Sequence, residues 1–97
     1  MAAPINKRIS QGNTAAALYG TAQTIGYGVQ IRLGTEATGR LAIGLANTVT
    51  VESAAATDGY QLAAGDAIWL PKEICGDLTA VYIIATVAAQ NVYILAF

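Results

Sequence analysis

The chain has 97 residues, of which 55% are hydrophobic and only 11% are charged, and its net charge is −1. This length suffices for one domain and not for two. The five lysines and arginines give no basic patch of the kind that binds nucleic acid. Because a typical soluble domain carries about 25% charged residues, the shortage of charge predicts that apolar surface is covered, either by a membrane or by partner chains.

Residues 1–15 are predicted to form an extended N-terminal arm, followed by a single domain over residues 16–97. The arm holds a proline, a glycine and scattered polar residues without a hydrophobic period. It is either disordered or a strap that orders on a neighbour, and its only charges, Lys7 and Arg8, are candidate contacts. The arm lacks the apolar run of a secretory signal, so we expect synthesis in the cytoplasm.

The segment up to residue 28 predicts an irregular strand interrupted by glycines. The stretches "GVQIRLG" and "RLAIGLA" then alternate apolar and polar residues, which predicts a β-hairpin closed by the turn "TEATG". In such a hairpin Arg32 and Arg40 lie close together on the polar face, with Glu36 in the turn. The two arginines form either a solvated edge with a weak ion pair or a pair that docks on a partner's carboxylate or carbonyl groups.

The stretch "NTVTVES" alternates again and predicts a further strand, followed by a loop at "AAATDG". In "GYQLAAGDAIWLP", two short strands are predicted on either side of a corner where Gly65 can adopt a positive φ. Pro71 ends the second strand because it cannot donate to a ladder. Trp69, the only tryptophan, either fills the core or anchors an interface.

The last twenty residues, "LTAVYIIATVAAQNVYILAF", carry no charge and follow a surface crossing at "KEICGD". They are long enough to span a bilayer as a helix. However, Gln90 and Asn91 fall in the middle, and the abundant Val, Ile, Thr and Tyr favour strands. We therefore predict a second hairpin, with strands over 81–86 and 92–97. Both faces of these strands are apolar, which predicts a neighbouring subunit against the second face.

The residues needed for catalysis or metal binding are scarce. The chain has no histidine and one cysteine, so an intrachain disulfide, a Cys–His pair and the common zinc sites are excluded. Cys75 is predicted to be a partly buried structural thiol. We expect no enzyme activity, no catalytic residue, no metal and no cofactor. The predicted fold class is all-β: six to eight short strands in a small β-sandwich or jelly-roll-like domain with an extended N-terminal arm.

Three stretches carry a family resemblance: "VQIRLGTEATGRLAIGLANTVTV", "GYQLAAGDAIWLP" and "LTAVYIIATVAAQNVYILAF". Together they resemble small virion proteins of tailed bacteriophages, in particular capsid decoration or cement proteins, which stabilise the head. The resemblance covers residues 20–97 and lies in small residues and strand spacing: a strand pair ends near "LAAG" plus an acid, and an apolar "VYIIA" strand and a final short strand follow. It implies an all-β, oligomeric protein on the capsid exterior, at symmetry axes or between capsomers.

The expected function is therefore non-enzymatic: capsid cement that binds the outer shell and stabilises contacts between major capsid protein subunits of the same phage. We expect a homotrimer, or next a dimer, because closed rings hide edge strands, and no nucleic-acid or membrane partner. The alternatives are a neck or tail component and a carbohydrate- or receptor-binding module of a fibre or tail, which needs an exposed aromatic cluster. The candidate interface residues are Lys7, Arg8, Arg32, Arg40, Tyr60, Trp69, Tyr82 and Tyr93.

Overall fold

The structure is a computed structural model that describes residues 5–20, 25–54, 56–75, 78–87 and 89–97. Within these residues, eight strands form two four-stranded antiparallel sheets, which confirms the predicted all-β sandwich class. A short helix, α1, and a 3-10 turn at Leu78–Ala80 connect the sixth strand to the seventh. The elements are β1 (Ile5–Gln11), β2 (Ala16–Ala17), β3 (Gly28–Leu33), β4 (Leu41–Gly44), β5 (Tyr60–Leu62), β6 (Ala67–Pro71), α1 (Lys72–Cys75), β7 (Tyr82–Ala85) and β8 (Gln90–Ala96).

The strand order is that of a wound hairpin. Sheet A has the order β1-β8-β3-β6 and sheet B the order β2-β7-β4-β5. The first strand pairs with the eighth, the second with the seventh, the third with the sixth and the fourth with the fifth. These four pairs arise when one long antiparallel ribbon bends between β4 and β5 and is then rolled up. The result is a jelly roll, in which most consecutive strands lie in opposite sheets.

Both hairpins predicted from the sequence are wrong, because β3 and β4, like β7 and β8, lie in different sheets. Alternation of apolar and polar residues looks the same whether the next strand lies beside the first or across the core. Here Leu33 and Leu41 are both fully buried, one in each sheet. The buried Gln90 fixes the crossing between them, since its Oε1 accepts hydrogen bonds from the backbone N–H groups of Thr38 and Gly39 at 2.9 and 3.2 Å.

The N-terminal segment is extended, as predicted, but its described part belongs to the sandwich. All seven residues of β1 pair with β8, and the half-buried Ile5 and Ile9 pack against the core. The strand is therefore an edge of sheet A and not an arm apart from the domain. Its apolar period is hidden in the sequence because Lys7 occupies the inward position between the two isoleucines.

The strand predicted at "NTVTVES" is not formed. Among the residues that the structure describes, this stretch makes one isolated bridge, between Thr50 and Asp58. Instead, the carboxylate of Asp58 accepts hydrogen bonds from Thr50 Oγ1 at 2.7 Å and from the backbone N–H of Ser53 at 3.2 Å. Glu52 and Ala54 have positive φ angles of 51° and 59°. Side-chain hydrogen bonds to the backbone thus hold a turn where the alternation favours a strand.

The corner at "AAGD" has the predicted geometry. Gly65 has a φ of 84°, a conformation that glycine adopts without steric cost. Its N–H donates to the carbonyl of Leu33 at 2.9 Å, and Asp66 Oδ2 accepts from the N–H of Ala63 at 3.0 Å. The strand that follows ends at Pro71, as predicted. The corner carries the chain from sheet B to sheet A.

The core lies between the two sheets. Its largest fully buried side chains are those of Leu18, Ile25, Val29, Ile31, Leu33, Leu41, Leu78, Val81, Ile83, Val92 and Ile94. Trp69 is not among them, because its side chain lies on the outer face of sheet A. The side chain of Cys75, predicted to be partly buried, lies outside the described residues. In the described part of the chain, no helix has the length and apolar character that a bilayer span requires.

Candidate functional site

The outer face of sheet A carries several exposed apolar side chains, and their position follows from the alternation of three strands. In β8, Val92, Ile94 and Ala96 are buried in the core, so Tyr93 and Leu95 point outward. In β3 and β6 the same alternation turns Gln30, Arg32, Ala67 and Trp69 outward.

The ladder register aligns these outward residues in two rows across the sheet. The first row runs through Asn6, Leu95, Gln30 and Trp69, and the second through Arg8, Tyr93, Arg32 and Ala67. Phe97 follows β8 beside the first row. Side chains directly opposite on one face of a sheet are in reach of one another, so the rows form one continuous surface.

The apolar part of this surface consists of Trp69, Leu95, Phe97 and Tyr93, whose exposed fractions are 44%, 40%, 42% and 40%. The rings of Trp69 and Phe97 have centroids 5.5 Å apart at an interplanar angle of 39°. Gly28 leaves room for the indole: a Cβ built there would lie 2.7 Å from Trp69 Cζ2. Since an aromatic side chain offers about 150–250 Å², the four exposed parts amount to roughly 300 Å². An apolar patch of that size matches the largest patch of a typical monomer, and such patches are often functional.

A polar network borders the apolar part. Arg8 Nη1 donates to Asn91 Oδ1 at 2.9 Å, and Glu36 Oε1 accepts from Asn91 Nδ2 at 3.1 Å and from the Tyr93 hydroxyl at 3.0 Å. A backbone hydrogen bond at Glu36, and then the bonds from Asn91 and Tyr93, lower the pKa of the Glu36 carboxyl. The same bond to Glu36 raises the pKa of Tyr93. The carboxylate is therefore ionised and held against the tyrosine.

A depression of about 230 Å³ lies in the middle of the face, and we call it the Arg32 depression. It is lined by Asn6, Gln30, Arg32, Tyr93, Ile94 and Leu95. Within the described residues, the side chains of Asn6, Gln30 and Arg32 make no hydrogen bond. Three groups with N–H donors thus surround one shallow space beside an apolar surface.

The outer face of sheet B is different, because the chain's own β4–β5 connection, described over residues 45–54 and 56–59, packs over β4. Val49 packs over Gly44, where an added Cβ would lie 2.7 Å from Val49 Cγ2. Further along, Glu52 forms an ion pair with Arg40. The connection therefore runs back along the outer side of β4, and Ala42, between these two contacts, is fully buried.

The structure brings together some of the residues predicted to form an interface and separates others. Arg8, Arg32, Trp69 and Tyr93 share the outer face of sheet A, whereas Arg40, Tyr60 and Tyr82 belong to the sheet B side. The hairpin expected to bring Arg32 and Arg40 together is not formed, since β3 lies in sheet A and β4, which follows Arg40, lies in sheet B. Lys7 points to the inner side of β1, with its Nζ 4.4 Å from the centroid of the Tyr19 ring.

Four residues of the face were missed by reasoning from the sequence: Asn6, Gln30, Leu95 and Phe97. The signal for two of them is present in "NVYILAF", where Tyr93, Leu95 and Phe97 recur at every second position. Asn6 gives no such signal, because its place depends on the pairing of β1 with a strand at the other end of the chain.

The described residues contain no group of three His, Cys, Asp or Glu side chains that could hold a metal ion. What the face offers is hydrophobic area, donors and two cations in a fixed arrangement, which suits binding. Comparisons of this chain with protein-family models, with curated proteins and with solved structures gave no match.

Proposed function

We propose that this chain is a non-enzymatic structural protein of a tailed-bacteriophage virion. In this proposal it binds the exterior of the capsid and stabilises contacts between subunits of the major capsid protein. One observation carries the proposal: the outer face of sheet A keeps Trp69, Leu95 and Phe97 exposed, whereas in sheet B the chain packs its own β4–β5 connection over β4. The sequence resemblance to capsid decoration proteins supports the virion as the setting.

The size of the patch sets the expected strength of attachment. At about 25 cal/mol per Å², roughly 300 Å² contributes on the order of 7 kcal/mol of gross stabilisation. Association costs an estimated 4–15 kcal/mol in lost freedom, so one copy binds weakly on this patch alone. Several linked copies that engage a symmetric shell at once bind far more tightly. This favours a closed oligomer, a homotrimer first and a dimer next.

The second candidate is a carbohydrate- or receptor-binding module of a fibre or tail. It is supported by the contact between the exposed rings of Trp69 and Phe97, because paired aromatic rings can stack on the apolar faces of sugars. A glycan array probed with the purified chain tests it. Binding that disappears in the Trp69→Ser variant supports a glycan site, and a negative array removes this candidate.

The first experiment is quantitative mass spectrometry of purified particles of the phage that encodes the chain. Copies near the number of major capsid protein subunits support the cement role. A few copies per particle support a neck or tail component instead. If the chain is absent from particles while it is expressed in infected cells, the virion proposal is wrong.

A further inference from the structure

We propose that the Arg32 depression binds the carboxylate of an aspartate or glutamate side chain from the protein on which sheet A docks. The identity of that protein as a shell subunit rests on the proposed function, but the carboxylate site does not. The depression is lined by Asn6, Gln30 and Arg32, whose side chains make no hydrogen bond within the described residues. A guanidinium and two amides supply N–H donors, and a carboxylate supplies only acceptors.

Arg32 differs from the other two arginines of the chain in lacking a partner. Arg8 donates to Asn91, and Arg40 forms an ion pair with Glu52. Arg32 is exposed, and within the described residues it donates no hydrogen bond. Its planar group is therefore available for the two parallel bonds that a guanidinium makes with a carboxylate.

A partner protein that docks on the apolar part of this face has to supply a hydrogen-bond acceptor for the Arg32 guanidinium and the neighbouring amides. Arg32 lies directly across from Tyr93, and Gln30 across from both Leu95 and Trp69. A partner that covers these apolar side chains also removes water from the guanidinium and the amides. Because an unpaired buried charge is strongly unfavourable, a partner that fits this face must bring an anionic or strongly accepting group to the depression.

The acid that borders this face, Glu36, does not fill this role. Glu36 Oε1 is held by Asn91 and the Tyr93 hydroxyl. The charge of Arg32 acts on Glu36 through space, yet within the described residues the ion pair at 4.0 Å or less is that of Arg40 with Glu52. Glu36 therefore fixes Tyr93 at the wall of the depression and leaves the Arg32 donors available.

The apolar surroundings favour an amino-acid carboxylate over a sugar acid or a phosphate. Leu95 lies in the lining and Trp69 next to Gln30 in the same row. A short acidic side chain that projects from an apolar protein surface matches this combination. A phosphate or a polyhydroxylated acid leaves hydroxyl or oxygen groups against leucine and tryptophan without hydrogen-bond partners.

The test is an NMR titration of the full ¹⁵N-labelled chain with the capped residue acetyl-Glu-amide. We expect saturable shifts of the Asn6 and Gln30 side-chain amides and of Arg32 Nε–H, and no comparable shifts with acetyl-Gln-amide, which has the same shape without the charge. The Arg32→Gln variant is expected to bind acetyl-Glu-amide about two- to fivefold more weakly, the range that one exposed ion pair contributes. The Arg40→Gln variant, which removes an arginine on the sheet B side, is expected to bind like the wild type.

The results of this titration test the carboxylate site independently of the proposed function. Equal shifts with the two capped residues, or undiminished binding by Arg32→Gln, overturn the carboxylate site even if the chain is abundant in virions. Binding of glucuronate or inorganic phosphate at least tenfold tighter than acetyl-Glu-amide overturns the choice of an amino-acid carboxylate. Conversely, selective binding of acetyl-Glu-amide supports the site even if the chain is absent from virions.

Discussion

The two outer faces of the sandwich are built by the same alternation of strand residues but are covered differently. Sheet B is crossed by the connection 45–59, which packs Val49 over Gly44 and joins Glu52 to Arg40. Sheet A has no such connection among the described residues, and Trp69, with 44% of its surface exposed, lies in the open. The β4–β5 connection is long enough to fold back over its own sheet. This difference leaves the outer face of sheet A as the open one.

The two sides of the sandwich also differ in how their few charged residues are paired. On the sheet B side, Arg40 and Glu52 neutralise each other within the chain. On the sheet A side, Arg8 and Arg32 flank Tyr93 in one row of the ladder, and Glu36 is the acid that borders them. The arginine on the sheet B side is thus neutralised by an acid of the chain, whereas the two arginines on the sheet A side share one bordering acid, in a chain whose net charge is −1.

The largest expected effect comes from disrupting the cover of sheet B. Val49 is buried against Gly44 and Gly59, so Val49→Asp puts an unpaired carboxylate in an apolar contact. We expect the free energy of unfolding to fall by about 3 kcal/mol, measured by urea denaturation. Thr48→Asp, at an exposed neighbouring position, is the control and should change it by less than about 0.5 kcal/mol. Equal effects of the two substitutions contradict a packed connection.

The next largest effect concerns the link between the sheets. Gln11, at the end of β1 in sheet A, is buried, and its Nε2 donates to the carbonyls of Gly12, Thr14 and Ile83 at 3.1, 2.7 and 3.1 Å. Ile83 lies in sheet B, so this amide joins the two sheets. Gln11→Leu is expected to lower the free energy of unfolding by about 2 kcal/mol, because buried carbonyls lose their donor.

The control for Gln11→Leu is Ser10→Ala, which changes the exposed neighbour on the same strand. Urea denaturation of both variants distinguishes the two positions. If Gln11→Leu is as stable as the wild type, the amide does not hold the sheets together, and the apolar contacts of β1 alone account for its docking.

Substitution of Trp69 tests the outer face of sheet A. It is expected to change stability less than Val49→Asp or Gln11→Leu. Trp69→Ser is expected to lower the free energy of unfolding by about 1 kcal/mol, mainly through the lost contact with Phe97. Attachment to capsid shells, measured by co-sedimentation, should fall at least about tenfold, because central aromatic anchors carry much of the binding energy at interfaces.

Tyr60→Ser provides the matched control on the other sheet. Tyr60 is 63% exposed but belongs to β5 in sheet B. Attachment of this variant to shells should equal that of the wild type. If Tyr60→Ser reduces attachment as much as Trp69→Ser, then the effect is not specific to the outer face of sheet A and the comparison fails.

The smallest effect is the acid sensitivity of the connection that covers sheet B. Hydrogen bonds from the Ser53 side chain and then from Thr50 lower the pKa of Asp58 from 3.8 to about 2. Because this pKa is lower in the folded chain than in the unfolded one, the bonds stabilise the fold fully above pH 4, and this stabilisation is lost as the pH falls from about 4 to 2. Asp58→Asn should therefore flatten the dependence of unfolding free energy on pH in this range.

Urea denaturation at a series of pH values from 5 to 2 measures this dependence. The Glu36 carboxyl, whose pKa is also lowered, contributes with the same sign on the sheet A side, so some dependence should remain in Asp58→Asn. A slope identical to that of the wild type means that the Asp58 bonds do not form in solution.

Several strands of the fold are predictable from the sequence, but β1 is not, and neither is the arrangement of the strands in two sheets. Alternation at Val29, Ile31 and Leu33 correctly gives an inward face, and the glycine of "AAGD" correctly marks a corner. Two-residue alternation carries no information about which sheet a strand joins, so two crossings between sheets were interpreted as hairpins. At Thr50 and Asp58, side-chain hydrogen bonds outweighed the alternation altogether.

The candidate site is only partly predictable for a related reason. Arg8, Tyr93 and Arg32 were each identified as candidate contacts from residue type, yet their arrangement in one row depends on the register of β1 and β3 against β8. That register joins residues from opposite ends of the chain, and nothing local in the sequence encodes it. Residue type therefore predicted several members of the site, and the wound topology decided which of them meet.

The position of β8 has a consequence for how the protein is made. This strand lies between β1 and β3 in the middle of sheet A, yet its residues 90–96 emerge last from the ribosome of the three. Until they emerge, β1 has no neighbour in its sheet and β3 is paired on one side only. Sheet A can therefore be completed only after residues 90–96 have been made, through contacts of very long sequence separation, and such contacts form slowly in folding.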